Sequence, residues 1–372
     1  MNMDNRNIYI TLLRAAIWGS KPEIPQDVDW DAVIQIAMRQ ATAPLIYDVI
    51  LREASAMLTP MQKMQMRQIS MQQMQSQMNL LNVMKGAIDA LKTDGFHPVV
   101  LKGFGLASLY PNPHLRPSGD IDLYVGAERF PEACASILRR YPDAYRPDKM
   151  IYAGKHYNIE VGENVIETHR VSYTFPDQRR NRIYRQIEAE GMTGEITTMR
   201  IDDYEFAAPR PTFNALFVFL HAWHHFETGG MNLRQLVDWT MVLHQYSEKI
   251  NKEQLLSYLH QLHMLDAWRA FGWAAVHYLG LSQEQMPFYS DQYAKKGAAV
   301  YDMIWSDVMN GRVRKVQKDK NLKGFARSWN TFRLIIQNAK WMYPVLPRTA
   351  LREARIHLGA ALMHIILRQD YE

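Results

Sequence analysis

The 372-residue chain has a single cysteine, Cys134, so no internal disulfide can form and a reducing compartment suits it. Long apolar runs are missing too: 47% of the residues are hydrophobic, yet none of their runs reaches the roughly 18–20 residues that span a bilayer. Neither sign of charge dominates. Lys and Arg number 43 against 38 Asp and Glu, for a net charge of +5. That mild basicity is compatible with a phosphate-rich ligand and too weak to establish nucleic-acid binding. No internal repeat or linker of low complexity breaks the chain, apart from a Met/Gln bias in one segment. The opening MNMDNRNIYITLLRAAIW carries Asp4 and lacks a signal-peptide profile, so the expected compartment is the cytoplasm.

What is present divides the chain into three expected parts: an N-terminal helical region (1–95), an α/β core (96–210) and a C-terminal helical region (211–372). Tyr9, Leu12, Leu13 and Ala16 have helical spacing, as do Val33, Ile36, Ala37 and Ala41. Thr59-Pro60 is a helix start, with a hydroxyl at the cap and proline in the first turn. The helix expected over 60–93 carries a Met57, Met61, Met64, Met71, Met78 stripe, read as core packing in preference to a pliable partner surface. Strands are expected over 98–101, 120–125, 155–161 and 165–171, with a turn at Gly162-Glu163-Asn164 and a helix over about 128–140. The segments 195–199 and 204–206 alternate and extend the sheet or form a side hairpin. The fold class is therefore α+β, a small mixed sheet flanked by helical regions.

The stretch VVLKGFGLASLYPNPHLRPSGDIDLYV (99–125) carries the chemistry. On a strand, Asp120 and Asp122 point the same way while Ile121 and Leu123 point into the core. Adjacent carboxylates repel unless a cation sits between them, and oxygen-only ligands favour Mg²⁺ or Mn²⁺. A Lys-Gly turn with free backbone N–H groups suits phosphate. Metal and phosphate cradle together imply nucleotide chemistry.

Gly103, a following helix and the Asp-x-Asp pair resemble the DNA polymerase β-like nucleotidyltransferase superfamily. The fuller string LKG…LYPNP…R-x-SGDIDL resembles one branch of it, the uncharacterised bacterial nucleotidyltransferase family. The resemblance runs from about residue 8 to about residue 245. It departs from the superfamily at Phe104, where the first motif usually has Gly or Ser after its glycine. It implies two metal ions on Asp120 and Asp122, and a third carboxylate on a neighbouring strand. Glu167 is favoured over Glu160 and Glu163 for that place, because His169-Arg170 follows it at the expected offset. Glu167 would be the general base for the acceptor hydroxyl or a third metal ligand. Lys102, Gly103, Arg116, Ser118 and Gly119 would meet the phosphates, Arg as a bidentate fork and Lys as a point charge.

The expected function is transfer of a nucleoside monophosphate from an NTP, with ATP the expected donor, to a hydroxyl of an acceptor. A small molecule or protein is favoured over RNA, since no RNA-binding module is recognisable. The alternative is a catalytically inactive nucleotide-binding or protein-interaction module of the same fold; a third reading is a toxin–antitoxin or defence component. Other features have plainer readings. Arg179-Arg180-Asn181-Arg182 reads as a solvated helix end, and RVRKVQKDKNLK (312–323) as a solvated face with nucleic acid or an anionic membrane as the rarer reading. Trp329, Phe332, Trp341 and Tyr343 read as core. His221 and His225 have metal-ligand spacing but no third ligand, so they read as packing histidines. Arg234 and Asp238 form an i,i+4 pair on one helical face, as a structural clamp or a cleft-closing element; H-x₃-H followed by L-R-x-L-x-D resembles the helical tail of the same branch.

Overall fold

The structure, a computed structural model, describes residues 3–145, 154–193, 196–228, 230–309 and 324–366. The basic segment 312–323 and Glu195 lie outside the described residues. Three helices open the chain: α1 (Met3–Trp18), α2 (Trp30–Arg39) and α3 (Ala43–Glu53). The long α4 (Pro60–Thr93) follows. Its start is the one the sequence announces: the Thr59 hydroxyl accepts from the Gln62 N–H at 3.2 Å, and Gln62 Oε1 accepts from the Thr59 N–H at 3.0 Å. The α/β segment then runs β1 (Val99–Val100), α5 (Phe104–Ala107), β2 (Ile121–Tyr124), α6 (Phe130–Arg140), β3 (His156–Val161), β4 (Asn164–His169), α7 (Gln178–Met192), β5 (Thr197–Ile201) and β6 (Tyr204–Ala208). Helices α8 (Pro211–Thr228), α9 (Leu233–Tyr246), α10 (Lys252–Gln261), α11 (Leu265–Ala274), α12 (Ala294–Met309), α13 (Gly324–Met342) and α14 (Pro347–Ile366) complete it. The fold is α+β.

The strands form one mixed sheet in the order β3-β4-β2-β1-β6-β5. Two hairpins make its edges, and Gly162 (φ +59°) takes the first turn position of β3–β4, where a primed turn needs positive φ. The central pair β2 and β4 is parallel, with Asp122 opposite Glu167 and Tyr124 opposite His169. One sheet face packs on α4 and α6, through Leu81, Met84, Ile88, Leu91, Ile137 and the buried Cys134. The N-terminal and C-terminal helices share a second apolar core in which Tyr9, Leu12, Ile46, Phe219, Trp239 and Trp268 are all buried. Each such side chain contributes about 1.5–3 kcal/mol when fully buried.

Three expectations about the helices are corrected. The methionine stripe is not core: Met57, Met61, Met64, Met71 and Met78 are all exposed. At about 100° per residue the inward side of α4 is marked by the buried Met66 and Gln77, and the stripe falls on the far side. Arg180 is not solvated. It is buried, and its guanidinium meets Glu353 of α14 through Nη1–Oε1 (2.8 Å) and Nη2–Oε2 (2.7 Å). Of the late aromatic residues, Trp329, Phe332 and Tyr343 are exposed, while Trp341 packs on Phe226 with ring centroids 4.7 Å apart.

Helix α8 is buried along most of its length, and α7 crosses it at Gly191. A Cβ there would lie 2.2–2.6 Å from the Phe213 ring and Cβ. Gly191→Ala is therefore expected to cost about 1–3 kcal/mol of overpacking. Urea denaturation of the variant reads this directly, and an unchanged midpoint would contradict the close crossing.

Candidate active site

Residues opposite each other on parallel strands, and residues two apart along a strand, share a sheet face. Asp122 on β2 and Glu167 on β4 are such partners, and His169 lies two residues beyond Glu167. On β3, His156 pairs with His169. The face opposite the α4–α6 layer thus gathers two carboxylates and two histidines, and Asp120, just before β2, adds a third carboxylate. Oxygens of Asp120, Asp122 and Glu167 lie within 4.8 Å of one another. Glu160 and Glu163 are exposed on the β3–β4 hairpin and belong to no such group.

Asp122 is fully buried. Its Oδ1 accepts from Lys102 Nζ at 2.8 Å and from His169 Nε2 at 2.9 Å. Its Oδ2 has no hydrogen-bond partner among the described residues. His169 Nε2 also lies 3.3 Å from Glu167 Oε2, and His156 Nε2 lies 3.9 Å from Glu167 Oε1. Burial would raise the Asp122 carboxyl, but Lys102 and His169 reverse this and hold it well below the usual range. Glu167 is likewise held low against burial by His169. Asp120 differs: burial and the neighbouring Asp122 push it up. Burial lowers His169, but Asp122 and Glu167 raise it overall.

This arrangement fits a hard divalent cation. Three carboxylates converge, one buried carboxylate oxygen is unpartnered, and Asp120 carries uncompensated repulsion that a cation would relieve. His156, Glu167 and His169 form a second overlapping group with nitrogen donors, which suits a softer ion.

The loop before β2 is built by buried polar contacts. Gly103 has φ +55°, and a Cβ there would stand 3.1 Å from the Asp120 carbonyl oxygen, so the turn needs glycine twice over. Phe104 is buried, and α5 after it has a single turn. Arg116 was expected at the phosphates, but the structure gives its guanidinium other work. It is buried and bidentate to Asp238 of α9, Nε–Oδ1 2.7 Å and Nη2–Oδ2 2.8 Å. Its Nη1 donates to the Gly103 carbonyl at 3.0 Å and to Ser118 Oγ at 2.8 Å. Ser118 is thereby buried and engaged, and Gly119 is exposed. Asp238 also accepts from the Tyr110 hydroxyl at 2.6 Å. Asp238 therefore pairs with Arg116, and Arg234 instead donates to the Pro117 carbonyl at 2.8 Å. Gln77 of α4 grips the Ser118 backbone at both ends, donating to its carbonyl (2.9 Å) and accepting from its N–H (3.2 Å).

The packing histidines of α8 sit beside this site. The rings of His221 and His225 are 4.6 Å apart. Burial, then Lys102, lowers His221 well below the ordinary imidazole value. Burial and His224 bring His225 to about 4. Gln77 and Lys155 were not singled out because nothing local to them signals a place near the carboxylates, whereas Arg234 was noted in the L-R-x-L-x-D segment but as the partner of Asp238. His169 was noted only as a spacing marker, although the E-x-H period places it on the carboxylate face.

Two expectations follow. Asp238→Asn strands a buried guanidinium, so unfolding free energy should fall by about 3–5 kcal/mol in denaturant titration; a loss under about 1 kcal/mol would contradict the pairing. His225 is neutral in the fold and titrates near 4, against about 6.5 unfolded. The unfolded chain binds the proton first, so stability is full above about 6.5 and falls as pH drops toward 4. His225→Gln should flatten that fall in unfolding midpoints between pH 7 and 4.5.

A family model described as an uncharacterised nucleotidyltransferase matches residues 26–280. No curated protein matches the chain. No solved structure matches it either. Among the described residues no helix is long and apolar enough to cross a membrane. The family match covers well over half of the chain, including every residue of the carboxylate face, and the chain belongs to that nucleotidyltransferase family.

Proposed function

We propose that the protein is a metal-dependent nucleotidyltransferase, moving a nucleoside monophosphate from an NTP, ATP the expected donor, to a hydroxyl of a small-molecule or protein acceptor. The observation that carries this reading is the convergence of Asp120, Asp122 and Glu167 around the unpartnered Asp122 Oδ2. Mg²⁺ or Mn²⁺ held by these oxygens would supply charge neutralisation at the α-phosphate. The chain's own residues do the rest. Glu167 is ionised at neutral pH, and its Oε1, turned toward His156 rather than bound to His169, is the oxygen that takes the acceptor's proton. The acceptor oxygen then bonds to the α-phosphorus, the bond from that phosphorus to the β-bridging oxygen breaks, and pyrophosphate leaves. His169 holds Asp122 and Glu167 together. Lys102, kept cationic by Asp122 and Asp120 against the pull of burial, places positive charge beside the reacting phosphate.

A second reading, an inactive nucleotide-binding or interaction module, draws on one observation: Lys102 already neutralises the buried Asp122. Incubation with each α-³²P-labelled NTP and Mg²⁺ or Mn²⁺, alone and with cell lysate, separates the two. Wild type is expected to label an acceptor. Asp120→Asn, which removes a carboxylate that faces like charge, is expected to cut transfer by more than about a thousandfold without lowering the unfolding midpoint. Failure of wild type to transfer under any of these conditions favours the inactive module.

A further inference from the structure

The first-motif turn is poorly equipped to hold a triphosphate. Phe104 is buried where a hydroxyl or a bare glycine would stand, and α5 is a single turn in which the Gly105 N–H donates to the Lys102 carbonyl and the Leu106 and Ala107 N–H groups to the Gly103 carbonyl, so these three are taken. Arg116 is committed to Asp238, Gly103 and Ser118. The rest of a triphosphate grip has to come from elsewhere, and among the described residues one guanidinium near the carboxylates is in no ion pair.

That cation is Arg234, at the start of α9. One nitrogen, Nη1, donates to Pro117, three residues before Asp120. Its Nε is buried and has no partner among the described residues. The nearby carboxylate that would neutralise it, Asp238, is taken by Arg116 in bidentate geometry. A half-buried guanidinium with an unmatched buried donor, beside a second guanidinium, is costly unless an anion visits it. Its surroundings are those of the carboxylate face: it interacts electrostatically with Asp120 and with His225. Lys155, exposed just before β3, where its carbonyl accepts from the Arg170 N–H at 3.0 Å, interacts electrostatically with Lys102, Glu167 and Asp122, and also with His225. Arg234 and Lys155 thus both interact electrostatically with His225, Arg234 also with Asp120 and Lys155 also with Glu167. Lys102, Lys155, Arg116 and Arg234 match Asp120, Asp122, Glu167 and Asp238 in number. Divalent cations alone would leave the cluster positive, and a polyphosphate bound with them would offset that charge.

We infer that Arg234, together with Lys155, grips the β- and γ-phosphates of the donor, so that the start of α9 supplies triphosphate contacts that the first-motif turn lacks. The inference rests on the nucleotidyltransferase reading above. Arg234 offers a planar fork suited to two phosphate oxygens, and Lys155, at the solvent-reachable mouth, offers a point charge.

The test is calorimetric binding to the full chain, with Mg²⁺, of the α,β-methylene analogues of the four NTPs and of the matching monophosphates. Arg234→Gln should weaken the triphosphate analogue about ten- to hundredfold and leave the monophosphate unchanged. Arg234→Lys should recover part of the triphosphate loss with the monophosphate still unchanged, a selectivity that a purely structural tie to Pro117 would not explain. Lys155→Met should give the same selective loss, and it carries the test if Arg234→Gln does not fold. Equal weakening of triphosphate and monophosphate, or no change in either, with wild type binding the analogue, overturns this assignment alone. Wild type that binds no triphosphate analogue overturns the nucleotidyltransferase reading and this assignment with it.

Discussion

The buried pair between Arg116 and Asp238 is the joint on which the carboxylate face depends. Asp238 belongs to α9, in the helical core, and Arg116 to the loop that leads into β2. The same guanidinium holds the Gly103 carbonyl and the Ser118 hydroxyl, so one side chain ties the turn after β1, the approach to Asp120 and the helical region together. Tyr110 adds a hydroxyl to Asp238, Gln77 fixes the Ser118 backbone from α4, and Arg234 holds Pro117. A loop without regular structure is thereby over-determined from three directions. Its charges are desolvated but geometrically matched, the condition under which a buried ion pair holds a structure in one arrangement.

The carboxylates that this joint positions are not electrostatically equal. Asp122 and Glu167 are compensated by Lys102 and His169 and stay ionised. Asp120 is left facing like charge. Strands β2 and β4 bring the three together through register, since a one-residue slip of β4 would turn Glu167 and His169 to the opposite face. Parallel pairing at the sheet centre thus converts two separate short motifs, D-x-D and E-x-H, into one cluster. The asymmetry within the cluster marks the side on which a cation is wanted.

The periphery follows a different logic. Helix α4 is core along its second half, through Leu81, Met84, Ile88 and Leu91, and along the first it exposes Met61, Met64, Met71 and Met74 while burying Met66. Helix α14 is held to α7 by the Arg180–Glu353 fork, and His357 of α14 lies 3.2 Å from Glu227 of α8. That second carboxylate–histidine group is matched by Arg180 and Arg352, so its charges are structural, whereas those of the β2–β4 face leave an oxygen unpartnered.

Local order was legible in the sequence where it depends on neighbours along the chain. The Thr59 cap, the α4 span, the Gly162 hairpin, the Asp-x-Asp strand and the mixed α+β architecture all follow from short-range period and turn chemistry. The family resemblance favoured Glu167 over Glu160 and Glu163, because it alone precedes the His169-Arg170 pair, and the parallel register sets it opposite Asp122. What the sequence could not decide is which charges meet. Arg116 looks like a phosphate ligand and Arg234 looks like the partner of Asp238 until α9 is laid against the loop; then the partners exchange. Arg180 looks solvated until α14 covers it, and the methionine stripe looks buried until Met66 and Gln77 define the inner face of α4. Those outcomes belong to tertiary structure, since burial and ion pairing depend on which surfaces distant segments bring together, and no period along one segment encodes that.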